Sequence, residues 1–186
     1  MNRKLEKPAL HFGVYHIEKS IAKLNLHTFL FVAGEKKNLK KHPLPIFSEY
    51  SLVRTIKIPE QFLEAVSRLV AEENKTASVG HIIYRTNQNT AYSGAYYPKE
   101  NIDDKNNSSR PAPGLGYFLE RECLNHFLEN PSLGITHAST DYNPNDARAG
   151  QLKKAGLPLK TPVPIEKWIE GLNRGIKLSR KKQREG

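Results

Sequence analysis

The stretch SSRPAPGLGYFLERECLNHFLENPSLGITHASTDYNPNDARAGQLKKAGL, residues 108–157, carries the alternation that decides the fold. Its front, Arg110-Pro-Ala-Pro-Gly114-Leu-Gly116, is a small-residue loop that runs into a helical pattern. Leu115, Leu119, Cys123 and Phe127 recur at i+4, Phe118, Leu124 and Leu128 widen the stripe, and Asn130-Pro131 stops it, so the spacing predicts a helix over 114–129. Residues 133–140 (LGITHAST) read as a short strand. A polar turn follows, and Asn143 caps a helix over 144–155 that Gly156 ends. Strands and helices that alternate along the chain ask for an α/β architecture.

The flanks agree with that class. Residues 10–17 and 26–33 have strand composition, and 51–58 alternate apolar with polar. Pro59 opens a helix with Phe62, Leu63, Val66, Leu69 and Val70 on one face. Residues 78–86 and 90–97 make a hairpin across Asn87-Gln-Asn89, and 98–113 form a long polar loop. Thr161 and Pro162 open a last helix that buries Ile165, Trp168, Ile169 and Leu172. The expected fold is α/β, a mixed sheet with flanking helices. Residues 1–9 read as a flexible N-terminal arm, 10–176 as a single α/β domain and 177–186 as a basic C-terminal tail.

The chain has 186 residues, about one domain by length. It is 38% hydrophobic and 26% charged, with 8 Tyr and 7 Phe, which excludes collagen-like, mucin-like and wholly disordered classes. Cys123 is the single cysteine and falls on an apolar stripe, so it reads as a small core side chain. No apolar run is long enough to span a bilayer, and residues 1–7 are polar with no signal core behind them. A cytoplasmic protein without membrane contact is expected. The seven histidines (His11, His16, His27, His42, His81, His126 and His137) lack the spacing of a metal helix, and no metal is expected.

The net charge of +10 and the pI near 9.6 favour polyanionic partners. Basic side chains cluster at Lys36, Lys37, Lys40 and Lys41, and again at Arg174, Lys177, Arg180, Lys181, Lys182 and Arg184. Gly114 and Gly116 let a backbone approach closely, and the free N–H groups of a helix's first turn attract phosphate.

From Arg110 to Leu157 the sequence resembles the GCN5-related N-acetyltransferase family. That family has an R/Q-x-x-G-x-G/A loop at a helix start, then a strand, then a helix of pattern N-x-x-A-x-x-x-Y-x-x-x-G-F. Here Asn145 lies 11 residues before Gly156, the family spacing, and Leu157 stands where Phe is usual. Arg110 is one residue further from Gly114 than the family register has it, and Leu152 occupies the Tyr position. The resemblance implies an acyl-CoA N-acyltransferase-like fold that takes acetyl-CoA as cosubstrate between two splayed parallel strands. It implies cosubstrate contacts from Arg110, Gly114, Leu115, Gly116, Tyr117 and Asn145. It also implies transfer of the acetyl group to an amine of a protein or small molecule, with an oxyanion donor from the strand over 90–97.

The catalytic groups stay open. His81, Tyr84, Tyr96, Tyr97 and His137 are candidate bases, and Tyr142 and Tyr117 are candidate replacements for the missing Tyr at 152. A second class is a non-catalytic basic nucleic-acid- or ribosome-binding domain. The C-terminal run would touch phosphates of RNA, and Tyr84, Tyr92, Tyr96 and Tyr97 would stack on bases. No RNP1, KH or helix-turn-helix pattern accompanies it. An acyltransferase scaffold that has lost activity is a third class.

Overall fold

Two long hairpins build most of the sheet. The computed structural model describes residues 9–41, 48–98 and 112–185, with the backbone alone for 95–98 and 182–185. Residues 1–8 of the expected arm, Arg110 and most of the 98–113 loop lie outside the described residues. The strands are β1 (Leu10–Ile21), β2 (Leu24–Glu35), β3 (Ser51–Lys57), β4 (Thr76–Asn87), β5 (Thr90–Pro98), β6 (His137–Thr140) and β7 (Val163–Pro164). The helices are α1 (Lys36–Leu39), α2 (Glu60–Glu72), α3 (Leu115–Glu129), α4 (Ala147–Lys154) and α5 (Ile165–Glu185). The sheet order is β3-β1-β2-β4-β5-β6-β7, and every pairing is antiparallel except β5 with β6. The chain is therefore an α/β protein with a mixed sheet, as its sequence predicts.

The hairpins run further than their apolar residues do. β1 pairs with β2 from Leu10↔Glu35 out to Ile21↔Leu24, and a two-residue turn at Ala22 and Lys23, both at positive φ, closes it. The outer rungs carry Glu18, Lys19 and Ser20, all exposed. Ladder hydrogen bonds do not need apolar side chains, so the expected strands 10–17 and 26–33 fall short of the real ones.

Side chains alternate between two faces. Phe12, Val14, Phe29, Phe31, Val79 and Tyr84 point to the face that α2, α3 and α5 cover, in one continuous core with Phe62, Phe118, Leu119, Phe127 and Trp168. The Phe118 ring lies 5.8 Å from Phe12 and 5.5 Å from Phe62. Tyr15, Leu30, Val32 and Leu39 form a smaller cluster on the other face, where the Tyr15 hydroxyl donates to the Leu39 carbonyl of α1. In α3 the expected stripe is buried, except that Leu128 is exposed and Glu120 and Glu122 are buried. In α2, Leu63 is exposed and Ala65 is buried in its place.

Three boundaries differ from expectation for local reasons. After α3, Pro131–Leu133 form a 3-10 turn ended by Gly134 at φ 69°, so the strand starts at His137 rather than 133. Asn143 does not cap α4. Its Oδ1 accepts from the Asn145 N–H, its own N–H goes to Asp146 Oδ2, and the helix begins at Ala147. Thr161 and Pro162 precede β7, and α5 starts at Ile165, whose N–H goes to the Thr136 carbonyl.

α4 ends as expected. Gly156 at φ 75° donates to the Lys153 carbonyl and Leu157 to that of Leu152, a Schellman closure. Leu157 then packs against Gly171 of α5. α5 itself continues to Glu185, through the segment set apart as a tail. Its small residues explain the extension: Gly175 seats the Tyr117 ring, and Ser179 lies against Gly114. Among the described residues no helix is long and apolar enough to cross a membrane.

Candidate active site at the end of the parallel strands

β5 and β6 pair over only four residues, from Thr90↔His137 to Ser93↔Thr140. The Ser93 carbonyl takes the last rung, accepting from the Asp141 N–H at 3.2 Å and from the Thr140 hydroxyl at 3.1 Å. β6 stops there, while β5 continues to Pro98. Among the described residues, no strand pairs with that edge of β5 beyond Ser93.

The register against β4 breaks at the same point. Ile83 faces Ala95 and Tyr84 faces Ser93, so Gly94 is an extra, bulged residue. Gly94 is exposed, and a Cβ added to it would meet nothing within 4 Å. Among the described residues, a strand edge with spare backbone groups and open space is thus set at the carboxyl end of the parallel pair. In open α/β sheets that is where ligands enter.

Two helix starts adjoin this end. α4 follows β6 through the 141–146 turn, and no side chain caps it. Gly114 stands at the head of α3 at φ 89°, also with no side-chain cap. The helical ladder of α3 begins with Phe118 N–H on the Gly114 carbonyl, so the Gly116 and Tyr117 N–H groups precede it. Arg148 of α4 ties the two first turns together. It donates to the Gly116 carbonyl at 3.3 Å, and its guanidinium lies 4.9 Å from the Tyr117 ring centre. The Tyr117 hydroxyl donates to the Gln151 carbonyl at 2.7 Å.

A buried charge pair lies beneath. Arg148 donates to Glu120, and their side chains are 9% and 3% exposed. The other Glu120 oxygen accepts from Trp168 Nε1 at 3.0 Å. Around the pair stand Tyr84, fully buried, its hydroxyl without a hydrogen-bond partner among the described residues, and Tyr142, partly buried. Burial, reinforced by the Glu120 charge, holds the Tyr84 hydroxyl well above its usual range and pushes that of Tyr142 up to about 12. Both remain proton donors at neutral pH.

The expected site residues fall into three groups. Gly114, Leu115, Gly116 and Tyr117 share the first turn of α3, though Leu115 is buried with its N–H on the Ala112 carbonyl. Gly114 also has a packing reason to be glycine, since a Cβ there would come within 3.0 Å of Ser179. Asn145 is exposed on the turn before α4, where its N–H meets Asn143. Arg110 lies outside the described residues, as do the side chains of Tyr96 and Tyr97.

The remaining candidate bases are scattered. His137 sits at the amino end of the pair, against Asn89 and Thr136, away from the opening. His81 is half-buried on β4, with burial lowering its pKa. Leu152 is core, and so is Cys123, whose thiol burial pushes well up. Among the described residues no three His, Cys, Asp or Glu side chains are arranged to hold a metal ion.

Gly94, Arg148 and Glu120 are absent from the expected set. A glycine inside a strand pattern is a bulge signal, and Ser93-Gly94-Ala95 carries it. Glu120 and Arg148 lie 28 positions apart and leave no local trace of pairing. Compared with family models, curated proteins and solved structures, the chain matches none.

Proposed function

We propose that the chain is an acetyl-CoA-dependent N-acetyltransferase acting on an amine. The observation that carries the reading is the Gly94 bulge at the carboxyl end of the β5–β6 pair, beside the uncapped first turns of α3 and α4. Direct acyl transfer makes few demands on side chains. The amine nitrogen attacks the thioester carbon, the C–S bond breaks, the sulfur leaves as thiolate and gains a proton, and the amine loses one.

The carbonyl oxygen that becomes negative needs a fixed donor. Gly94 N–H fits, because the bulge takes Gly94 out of register with β4. The free edge of β5 suits an extended ligand chain, which adds to a sheet edge as a strand does. The N–H groups of Gly116 and Tyr117 at the positive end of α3 suit the phosphates, with Arg110 as a further contact. Tyr142, protonated beside the last rung, supplies a proton donor where Leu152 has none.

Thermal unfolding with ligand tests the reading. Acetyl-CoA at about 100-fold its Kd should stabilise the fold by about 2.7 kcal/mol. Gly116→Asp, which sets a carboxylate at the phosphate position, should abolish that shift. No shift of the unmodified chain in millimolar acetyl-CoA would overturn the reading.

A further inference from the structure

The acetyl-transfer reading leaves the basic half of α5 unused, and that half carries a separate inference. We infer that Arg174, Lys177, Arg180 and Lys181 of α5, with Lys153 and Lys154 at the end of α4, form a docking surface for a nucleic-acid phosphate backbone. Arg174, Lys177 and Lys181 recur at i, i+3 and i+7 and so share one side of the helix, over about 10 Å. The α4 lysines join that side because Arg174 Nε donates to the Ala155 carbonyl at 3.1 Å, beside Lys153 and Lys154.

Lys153, Lys154, Lys177 and Arg180 are all exposed, and none is in an ion pair among the described residues. The chain has no acidic residue between Glu170 and Glu185, and Lys182 and Arg184 continue the run. A group of exposed cations on a chain of net charge +10 is complementary to a polyphosphate.

The partner class follows from what the helix lacks. A helix that lies in a bilayer surface needs a broad apolar side. The apolar side of α5 is spent on the core, with Trp168 and Leu172 fully buried and Gly171 and Gly175 seated on Leu157 and Tyr117. Leu178, half exposed, is the one large apolar side chain left among the basic residues. Phosphate contacts need only cations held on a rigid rod, and α5 is docked through Gly175 and Ser179 as far as the cluster itself.

The test is fluorescence anisotropy of a short unstructured RNA against the full chain, over a salt series. The K177E/R180E/K181E variant should bind at least about 10-fold more weakly. Its log–log salt slope should be shallower by about 2, three phosphates at about 0.7 each. The K177Q/R180Q/K181Q variant should fall between the two, and both should melt with the unmodified chain, since these side chains touch solvent. Duplex DNA weakened in the same variants supports the shared phosphate chemistry. RNA binding that is absent, or whose slope the charge reversal does not change, overturns the inference. So does tighter binding to phosphatidylglycerol vesicles, or displacement of RNA by poly-glutamate at equal charge.

Discussion

Two polar clusters lie under the helix face of the sheet, and they are built in opposite ways. On the β1–β2 side His16, His27 and His126 pack among Phe29 and Phe127. His16 Nε2 lies 3.0 Å from His27 Nδ1, and the His16 and His126 ring centres are 4.8 Å apart. The strands beneath pair with each other along all twelve residues. At the β5–β6 end the pairing stops after four residues, and the side chains around the last rung include a full ion pair and a hydroxyl with no partner among the described residues. A closed cluster of neutral rings satisfies itself. An ion pair beside an open strand edge leaves donors and space for something else.

The largest expected effect breaks the charged cluster. Glu120→Ala strands the Arg148 guanidinium and the Trp168 N–H in the core, a loss of about 3–5 kcal/mol. For a chain of this length that lowers Tm by roughly 6–20 °C. Glu64→Ala, on the exposed i,i+4 pair with Arg68, should change stability by about 0–1 kcal/mol. Calorimetry of the two variants checks the contrast, and equal losses would mean that the Glu120 pair is not buried in solution.

Next comes the open edge. Gly94→Pro deletes one N–H where a strand bulge tolerates proline, and Gly94→Ala fills empty space. The proline variant should lose about 10²–10³ in kcat with little change in Tm, while the alanine variant stays near the unmodified rate. Thiol release from acetyl-CoA measures both. A proline variant that turns over normally removes Gly94 from the reaction, and one that melts like Glu120→Ala makes the bulge a structural feature alone.

The smallest effect belongs to the histidine cluster. Burial first, and then the neighbouring His126 and His27, lower the His16 pKa from 6.5 to about 4. Burial also lowers His27, against the pull of Glu18, and it lowers His126, where Arg54 adds to it and Glu129 opposes. The unfolded chain therefore binds more protons between about pH 4 and 6.5. The stabilisation is whole above that window and falls away as the pH drops through it. His16 should account for about 2 kcal/mol after allowance for its partial exposure. Urea midpoints at pH 7 and 4.5 measure the loss, and His16→Phe, which keeps the stack on Phe29, should reduce it. A midpoint that does not move with pH in the unmodified chain would show that folding does not lower the pKa of these rings.

Local pattern by itself determined the element types. The i+4 stripe of Leu115, Leu119, Cys123 and Phe127 is a buried helix face, Pro59 leads into the α2 helix, and Gly156 ends α4 because only its backbone takes φ 75° without strain. Those signals sit within a few residues of the feature they specify. The four small and apolar residues from Gly114 to Tyr117 were legible in the same way as the start of α3.

Tertiary structure alone decided the rest, because it depends on residues far apart in the chain. The buried carboxylate at Glu120 looks like a surface residue of an amphipathic helix until Arg148 and Trp168 reach it from α4 and α5. The run from Lys177 to Glu185 has no apolar period, yet it is helical, because Gly175 and Ser179 let α3 approach and the helix carries on from that contact. That β5 runs parallel to β6 for four residues and then has no strand on that edge among the described residues is a matter of which strands meet. No spacing within either strand records it, since both are built from the same alternation as the hairpins beside them.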